Sequence, residues 1–343
     1  MRYLLVLCGL LALSWAQLSG NYYINGCSPC ATNEFPTIQD AFSALSSQGA
    51  SGIVNLYVVS GYNPANEPPA PAPISLTTYT CTSCRVNLIF DTPVQLQRTV
   101  APTAGSRFIF RFTGTLQNFA IRGRGNLTLQ ITGTAGTPSG TATGVIGLVS
   151  TTTTPLQVNG FTIDSVTVIG HNRDSVFAGI YVGQDGSLTT ATLSSSSSVN
   201  NLTISNAAIR GVSRPIFVAG IRTQVQNITV SGCTIGAEVD NADVPNATTD
   251  DPTWASSWGA TNNIGAIHIR GARIVTLTQN TIKNGISGRS TIYQLAGIRL
   301  DSVEDFTISR NWNLPHPLCR SVGVGLIRDS CQPAQQLHKS QHR

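Results

Sequence analysis

Charge is scarce in this chain. Only 11% of its 343 residues are Asp, Glu, Lys or Arg, and lysine occurs only at Lys283 and Lys339. The net charge of +5 therefore comes almost wholly from arginine, and the arginines are scattered. A nucleic-acid binder gathers its basic residues into a patch or stripe, so no nucleic-acid partner is expected. Long apolar runs are missing too. The run Tyr3–Leu13 is too short for a bilayer, so no membrane span is expected in the mature chain. Helical periodicity is convincing only over Phe35–Leu45. A readable catalytic constellation is also absent. Glycoside hydrolysis needs two carboxylates facing one bond, and the strand aspartates Asp164 and Asp301 lie on unlike segments far apart in the chain.

What the sequence does have is a phrase repeated four times: Ala178-Gly179-Ile180-Tyr181-Val182, Ala219-Gly220-Ile221-Arg222-Thr223, Gly265-Ala266-Ile267-His268-Ile269 and Ala296-Gly297-Ile298-Arg299-Leu300. A second phrase follows each, as Leu202-Thr203-Ile204-Ser205, Ile228-Thr229-Val230-Ser231, Val275-Thr276-Leu277-Thr278 and Phe306-Thr307-Ile308-Ser309. An earlier copy of the second is Phe161-Thr162-Ile163-Asp164. Both alternate apolar and polar residues, the period of a half-buried strand, and both are rich in the β-branched residues that strands favour. The intervals between copies are unequal, which makes the variable part a loop. One such unit cannot bury its own apolar face. Stacked units can, with backbones paired at about 4.8 Å. The expected fold is all-β, a right-handed parallel β-helix (a solenoid) preceded by a short capping α-helix. A β-sandwich is the competing architecture, and the fixed order of two unlike phrases argues against it.

In chain order, residues 1–16 read as a secretory signal: Arg2, the apolar run, then the small-x-small site Ser14-Trp15-Ala16. Residues 17–60 form an N-terminal cap and first strand, with a helix over about 37–46. Thr37 is its N-cap, Asp40 its capping partner, and Ile38, Ala41, Phe42 and Leu45 its apolar stripe. Coils fill 61–311, with the proline-rich Pro64–Pro73 as an extended loop and the early coils from Val86 to Ile131 irregular. Thr151–Thr154 and Ser194–Ser198 read as flexible hydroxyl-rich loops, or else as an O-glycosylated surface. Residues 312–331 form an irregular or partial last coil, in which Val324–Ser330 echoes Ala296–Ser302. Residues 332–343 form a polar tail expected to be disordered. With no C-terminal cap visible, the chain also reads as a truncated or altered version of a longer protein.

The segment Phe35-Pro36-Thr37-Ile38-Gln39-Asp40-Ala41-Phe42, followed by Val58-Val59-Ser60-Gly61-Tyr62, resembles the opening of pectate-lyase-like right-handed β-helix proteins. The resemblance covers about 21–311. It implies a right-handed coil and an extracellular carbohydrate context, and no particular reaction. In that superfamily lyase action implies an arginine or lysine base, usually with calcium-binding aspartates, and hydrolase action implies clustered aspartates.

In an exported chain the cysteines point to disulfides. The candidates are Cys27, Cys30, Cys81 and Cys84, whose three possible pairings the sequence leaves open, and Cys319 with Cys331. A four-thiolate zinc site is the competing reading of the two C-x-x-C pairs. Cys233 reads as a small core residue. Glycosylation sequons stand at Asn126, Asn201, Asn227 and Asn246, although strand propensity alone asks for Thr in three of them. No cofactor is expected. Calcium is conceivable only at the acidic loop of Glu238, Asp240, Asp243, Asp250 and Asp251.

Aligning the four first phrases turns Ile180, Ile221, Ile267 and Ile298 inward and Tyr181, Arg222, His268 and Arg299 outward. Two positions on, Gly183, Gln224, Arg270 and Asp301 also face out. Tyrosine can stack on a sugar and arginine can hold a carboxylate or sulfate. Tyr181, Arg222, His268 and Arg299 are therefore the candidate glycan-binding residues, and His268, Arg270, Arg299 and Asp301 the catalytic candidates should the chain be an enzyme. The expected function is a secreted or cell-surface protein that binds glycans, adheres or has a structural role, with an extracellular polysaccharide as partner. The alternative is a polysaccharide-acting enzyme, a lyase more than a glycosidase. A third reading is a fragment with no function of its own.

Overall fold

A computed structural model describes residues 17–99, 108–132, 144–170, 178–185, 192–212, 214–236, 264–283 and 295–313. The expected signal, the acidic loop, Asn246, Cys319, Cys331, the echo at 324–330 and the polar tail lie outside the described residues. Among the described residues twenty strands make a single large sheet, accompanied by one α-helix, and every registered pairing among these strands is parallel. The antiparallel hairpins that a sandwich would need do not occur among them.

Apart from the short pairing of Leu18–Ile24 with Glu34–Phe35, the pairings fall into three ladders. The first joins Ile74–Leu76, Phe110–Phe112, Gly144–Ser150, Ala178–Gln184, Arg214–Ala219 and the leading halves of Ile264–Thr278 and Leu295–Ser309. The second begins at Leu18–Ile24, Ala50–Val58 and Cys81–Phe90. It continues through the leading halves of Thr115–Thr132 and Gln157–Ile169 to Ser198–Ser205, Val225–Ser231 and the trailing halves of the two long strands. The third runs from Val94–Thr99 through the trailing halves of Thr115–Thr132 and Gln157–Ile169 to Ala208–Arg210, Thr234–Ile235, Thr281–Ile282 and Trp312–Asn313. From Ile74 onward the chain passes through them in the same cyclic order. The arrangement is compatible with a solenoid.

Register carries like residues onto like. Phe119, Phe161, Leu202, Ile228, Val275 and Phe306 follow one another in the second ladder, so the second phrase stacks as its repetition predicts. Its early copies, irregular in sequence, continue the same column through Val54 and Val86. The apolar column is buried down to Val275 and half-buried at Phe306, which is where the hydrophobic contribution to stability resides.

The helix spans Ile38–Gln48, and Thr37 caps it by accepting from Asp40 N at 3.0 Å. Ile38, Ala41, Phe42 and Leu45 are buried as the sequence implies. Phe42 packs against Phe110, Phe112 and Phe119 with ring centroids about 6 Å apart. The proline-rich segment does more than extend. Pro64–Asn66 forms a 3-10 turn that delivers Glu67 to the helix N-terminus. There its carboxylate accepts from Ile38 N at 2.6 Å, Gln39 N at 3.2 Å and the Tyr62 hydroxyl at 2.8 Å. Burial pushes the Glu67 carboxyl upward against these hydrogen bonds. Glu67→Ala is expected to cost about 2 kcal/mol, for a lost cap and an orphaned tyrosine hydroxyl, read as a lower urea midpoint.

One residue per turn of the second ladder takes a left-handed backbone: Asn118, Gly160, Asn201, Asn227, Ile274 and Asp305 occupy equivalent positions with φ between 50° and 81°. Asparagine and glycine tolerate this conformation and a β-branched residue does not. Ile274, at φ 56° and 49% exposed, is the misfit. Ile274→Asn is expected to stabilise the fold by about 1 kcal/mol, measured as a raised Tm. The same column gives the sequons at Asn201 and Asn227 a structural origin. The strand wants the threonine and the bend wants the asparagine. Both asparagines are exposed, and they extend a side-chain ladder from Asn159 to Asn201 to Asn227, with amide bonds of 3.0 and 3.2 Å. The Asn126 amide donates to Phe90 O at 3.1 Å.

The cysteines pair locally, Cys27 with Cys30 and Cys81 with Cys84, with Cα separations of 5.0 and 5.2 Å. Sulfurs bonded to each other are not zinc ligands, so the four-thiolate reading is set aside. Cys233 is a buried free thiol, and burial raises its pKa to about 11. No helix among the described residues is long and apolar enough to cross a membrane. That, with the two disulfides, is consistent with an extracellular protein.

The hydroxyl-rich runs form hydrogen-bonded turns. Thr154 N donates to Thr151 Oγ1 at 2.8 Å. Ser197 is buried and accepts from Leu156 N at 3.0 Å, and Gln224 holds the Ser194 and Ser195 carbonyls at 2.8 and 2.7 Å.

Candidate functional site

The first ladder turns Ile180, Ile216, Ile267 and Ile298 to the core. The outward column beside them runs Arg111, Gly147, Tyr181, Phe217, His268, Arg299. This corrects the sequence alignment of the second copy. The strand is Arg214–Ala219, and Ala219-Gly220-Ile221-Arg222 lies at and beyond its end. Ile221 is 41% exposed rather than inward, and Phe217 occupies the place expected for Arg222. Arg222 stands apart from the column, 3.7 Å from Glu304, which Arg273 approaches more closely at 3.0 Å. Gln224 likewise leaves the second outward column. Ala219 stands there, beside Arg270 and then Asp301.

Outward does not mean exposed. Tyr181 and Phe217 are buried in a second hydrophobic cluster with Phe108, Val149, Ala178 and Ala219, separate from the main core. Phe108 stacks on Tyr181 at 6.2 Å, Tyr181 meets Phe217 at 5.8 Å, and Phe217 meets the His268 ring at 4.9 Å. Glycine is required at Gly147, where a Cβ would meet Phe108 Cε1 at 2.6 Å. The Tyr181 hydroxyl donates to Gln184 O at 2.9 Å, and burial followed by the nearby Asp185 raises its pKa. A ring so covered offers no platform to a sugar, so the stacking role expected of Tyr181 is withdrawn.

The polar end of the column draws the four catalytic candidates together. His268 is 4% exposed, and its Nε2 lies 2.9 Å from Asp301 Oδ2. Arg299 Nε donates to both oxygens of Asp301, at 3.1 and 2.9 Å. Arg270 is the register partner of Asp301. Burial pushes the Asp301 carboxyl up, but the hydrogen bonds from Arg299 and His268 outweigh it and hold the group below its ordinary value. For His268, burial is the largest influence and lowers the pKa to about 4, against the opposing hydrogen bond to Asp301. The pair at neutral pH is therefore a carboxylate and a neutral imidazole.

Arg214 joins this group, and sequence reasoning missed it. Its guanidinium lies 4.5 Å over the Phe217 ring, a cation–π geometry. Burial, then the like charges of Arg270 and Arg299, lower its pKa to about 10. Arg111 and Asp185 form a 2.8 Å ion pair toward the other end of the face. Asp164, the other strand aspartate, belongs to the second ladder and accepts from Ser205, Asn206 and Ser165. It is not part of the site. Among the described residues no group of three or more His, Cys, Asp or Glu side chains could hold a metal ion.

No protein-family model, no curated protein and no solved structure matches the chain.

Proposed function

We propose that this chain is a secreted or cell-surface right-handed parallel β-helix of the pectate-lyase-like kind, and that its first-ladder face binds an anionic extracellular glycan without turning it over. Handedness follows from the near-universal right-handed crossover between parallel strands. The observation that carries the binding reading is the gathering of Arg214, Arg270 and Arg299 about the Asp301–His268 pair, with Arg270 and Arg299 raising the cost of charge on Arg214. Guanidinium groups in fixed positions suit carboxylate and sulfate by geometry as well as charge. The Asp301 carboxylate is engaged with Arg299 and His268, whereas glycoside hydrolysis needs a second carboxylate facing the same bond.

The test is titration of the protein with a panel of anionic polysaccharides, beside an assay for released unsaturated or reducing sugars. Arg299→Ala is expected to weaken binding at least tenfold, the loss of one charge-assisted contact, with no sugar released by either protein. Binding to none of the panel would overturn the proposal. The lowered Arg214 favours a second reading, a lyase in which that arginine removes a proton. Release of unsaturated product, abolished by Arg214→Ala, would establish it instead.

A further inference from the structure

Strand Leu295–Ser309 is paired along its length with Ile264–Thr278, and among the described residues no strand pairs with its other edge. Burial changes abruptly across that single step. Ile267, Ile269, Ala272, Val275 and Leu277 are at most 1% exposed. Their register partners Ile298, Leu300, Val303, Phe306 and Ile308 are only half-buried. A long edge beside an apolar row is a template for further pairing, and native proteins keep such edges covered. The sequence beyond Asn313 offers a poor cover. Its echo of 296–302 at 324–330 sets Arg328 in the place of Leu300, which packs on the core, and a guanidinium is costly in an apolar row.

We infer that this end of the stack is an interface, and that its occupant is the same end of a second copy of the chain. The half-buried row is symmetric about its middle. Val303 has Leu300 and Phe306 three residues to either side, and Ile298 and Ile308 five residues to either side. A two-fold axis through the corner at Val303 lays the leading half of the strand over the trailing half of its copy, running antiparallel. Ile298 then meets Ile308, Leu300 meets Phe306, and Val303 meets itself. This is the self-complementary patch that an isologous dimer requires. Antiparallel pairing also gives partners to the backbone N–H and C=O groups of the open edge. The same register opposes Asp301 to Asp305, and the two hydrogen bonds from Arg299 to Asp301 offset that repulsion. The inference is independent of the glycan reading, because it uses the core-facing row of this strand and not its outward column.

Analytical ultracentrifugation of the full chain over a dilution series is expected to show a monomer–dimer equilibrium. Val303→Lys sets two unpaired charges at the axis and should raise the dissociation constant about a hundredfold. Val303→Cys is the milder variant and reads the geometry directly. Residues directly opposite in an antiparallel pair have Cα atoms about 4.5–5.5 Å apart, within the range of a disulfide. Oxidation should therefore join Val303→Cys to its own copy as a covalent dimer. Ala272→Cys is the control. It lies in register with Val303 but buried one coil inward, it carries the same free Cys233, and it should stay unjoined. A wild type that sediments as a monomer throughout the series overturns the inference. So does a dimer that Val303→Lys leaves intact or that Val303→Cys fails to link, since either places the interface elsewhere.

Discussion

Acidification from neutral pH to about pH 4 is expected to cost the folded protein about 3 kcal/mol through one side chain, His268, at about 1.4 kcal/mol for each tenfold change in proton affinity. In the unfolded chain an imidazole titrates at 6.5, and in the folded chain burial among arginines lowers it to about 4. Between those values the unfolded chain binds more protons than the folded one, so stability rises with pH across that window. The contribution is complete above pH 6.5 and drains away as the pH falls toward 4. Asp301, whose pKa is lowered, adds a loss that begins where that of histidine ends, because its contribution is present above the ordinary carboxylate range and disappears below it. Urea unfolding at a series of pH values reads this directly. The difference between wild type and His268→Gln isolates the histidine, and it should change across the window from pH 6.5 to 4 and be flat above it. A constant difference throughout would mean that the ring is not held neutral in the fold.

This site was half legible in the sequence. His268, Arg270, Arg299 and Asp301 occur in two adjacent copies of one phrase, and the parallel register brings them together as the alternation requires. The copy before them misled, because Ala219-Gly220-Ile221-Arg222 matches the phrase in composition while Arg214-Pro215-Ile216-Phe217-Val218 supplies the strand. Proline lacks a donor for the ladder and argues against a strand at 215. The burial of Tyr181 was not legible at all. Alternation says which side of a sheet a residue faces, and it cannot say that a second apolar cluster covers that side. Phe108, Gly147 and Phe217 were the available signal. An aromatic column and a glycine in register on a polar face mark a face that is packed rather than wet.

The same limit hid the element whose loss should cost most. After each second phrase the chain runs Ser205-Asn206-Ala207-Ala208-Ile209, Ser231-Gly232-Cys233-Thr234-Ile235, Thr278-Gln279-Asn280-Thr281-Ile282 and Ser309-Arg310-Asn311-Trp312-Asn313. Setting these in line gives an inward column Ala207, Cys233, Asn280, Asn311 at the corner between the second and third ladders. It begins with small residues and ends with amides. Asn280 is fully buried. Its Oδ1 accepts from Cys233 N at 3.0 Å, and its Nδ2 donates to Val230 O at 2.9 Å and Asn311 Oδ1 at 2.8 Å. Asn311 repeats the pattern, donating to Leu277 O at 2.8 Å and accepting from Asn280 N at 2.9 Å. At a corner the backbone groups turn away from the regular ladder, and these side chains supply the partners it omits.

Asn280→Ala is expected to cost about 3–5 kcal/mol, because it leaves a buried N–H without an acceptor and weakens two further pairs, at roughly 1–3 kcal/mol for each group left unsatisfied. Asn280→Asp tests the mechanism. It keeps the acceptor for Cys233 N but cannot donate, and it buries a charge, so it should be no milder than alanine. Cys233→Ala, one rung away in the same column, removes a thiol with only weak sulfur contacts to Ile204 O and Ser231 O and should cost about 1 kcal/mol. Urea unfolding of the three variants therefore separates a hydrogen-bonded corner from a merely filled one. If Asn280→Ala and Cys233→Ala lose the same amount, packing volume alone holds this corner and the amide column contributes nothing.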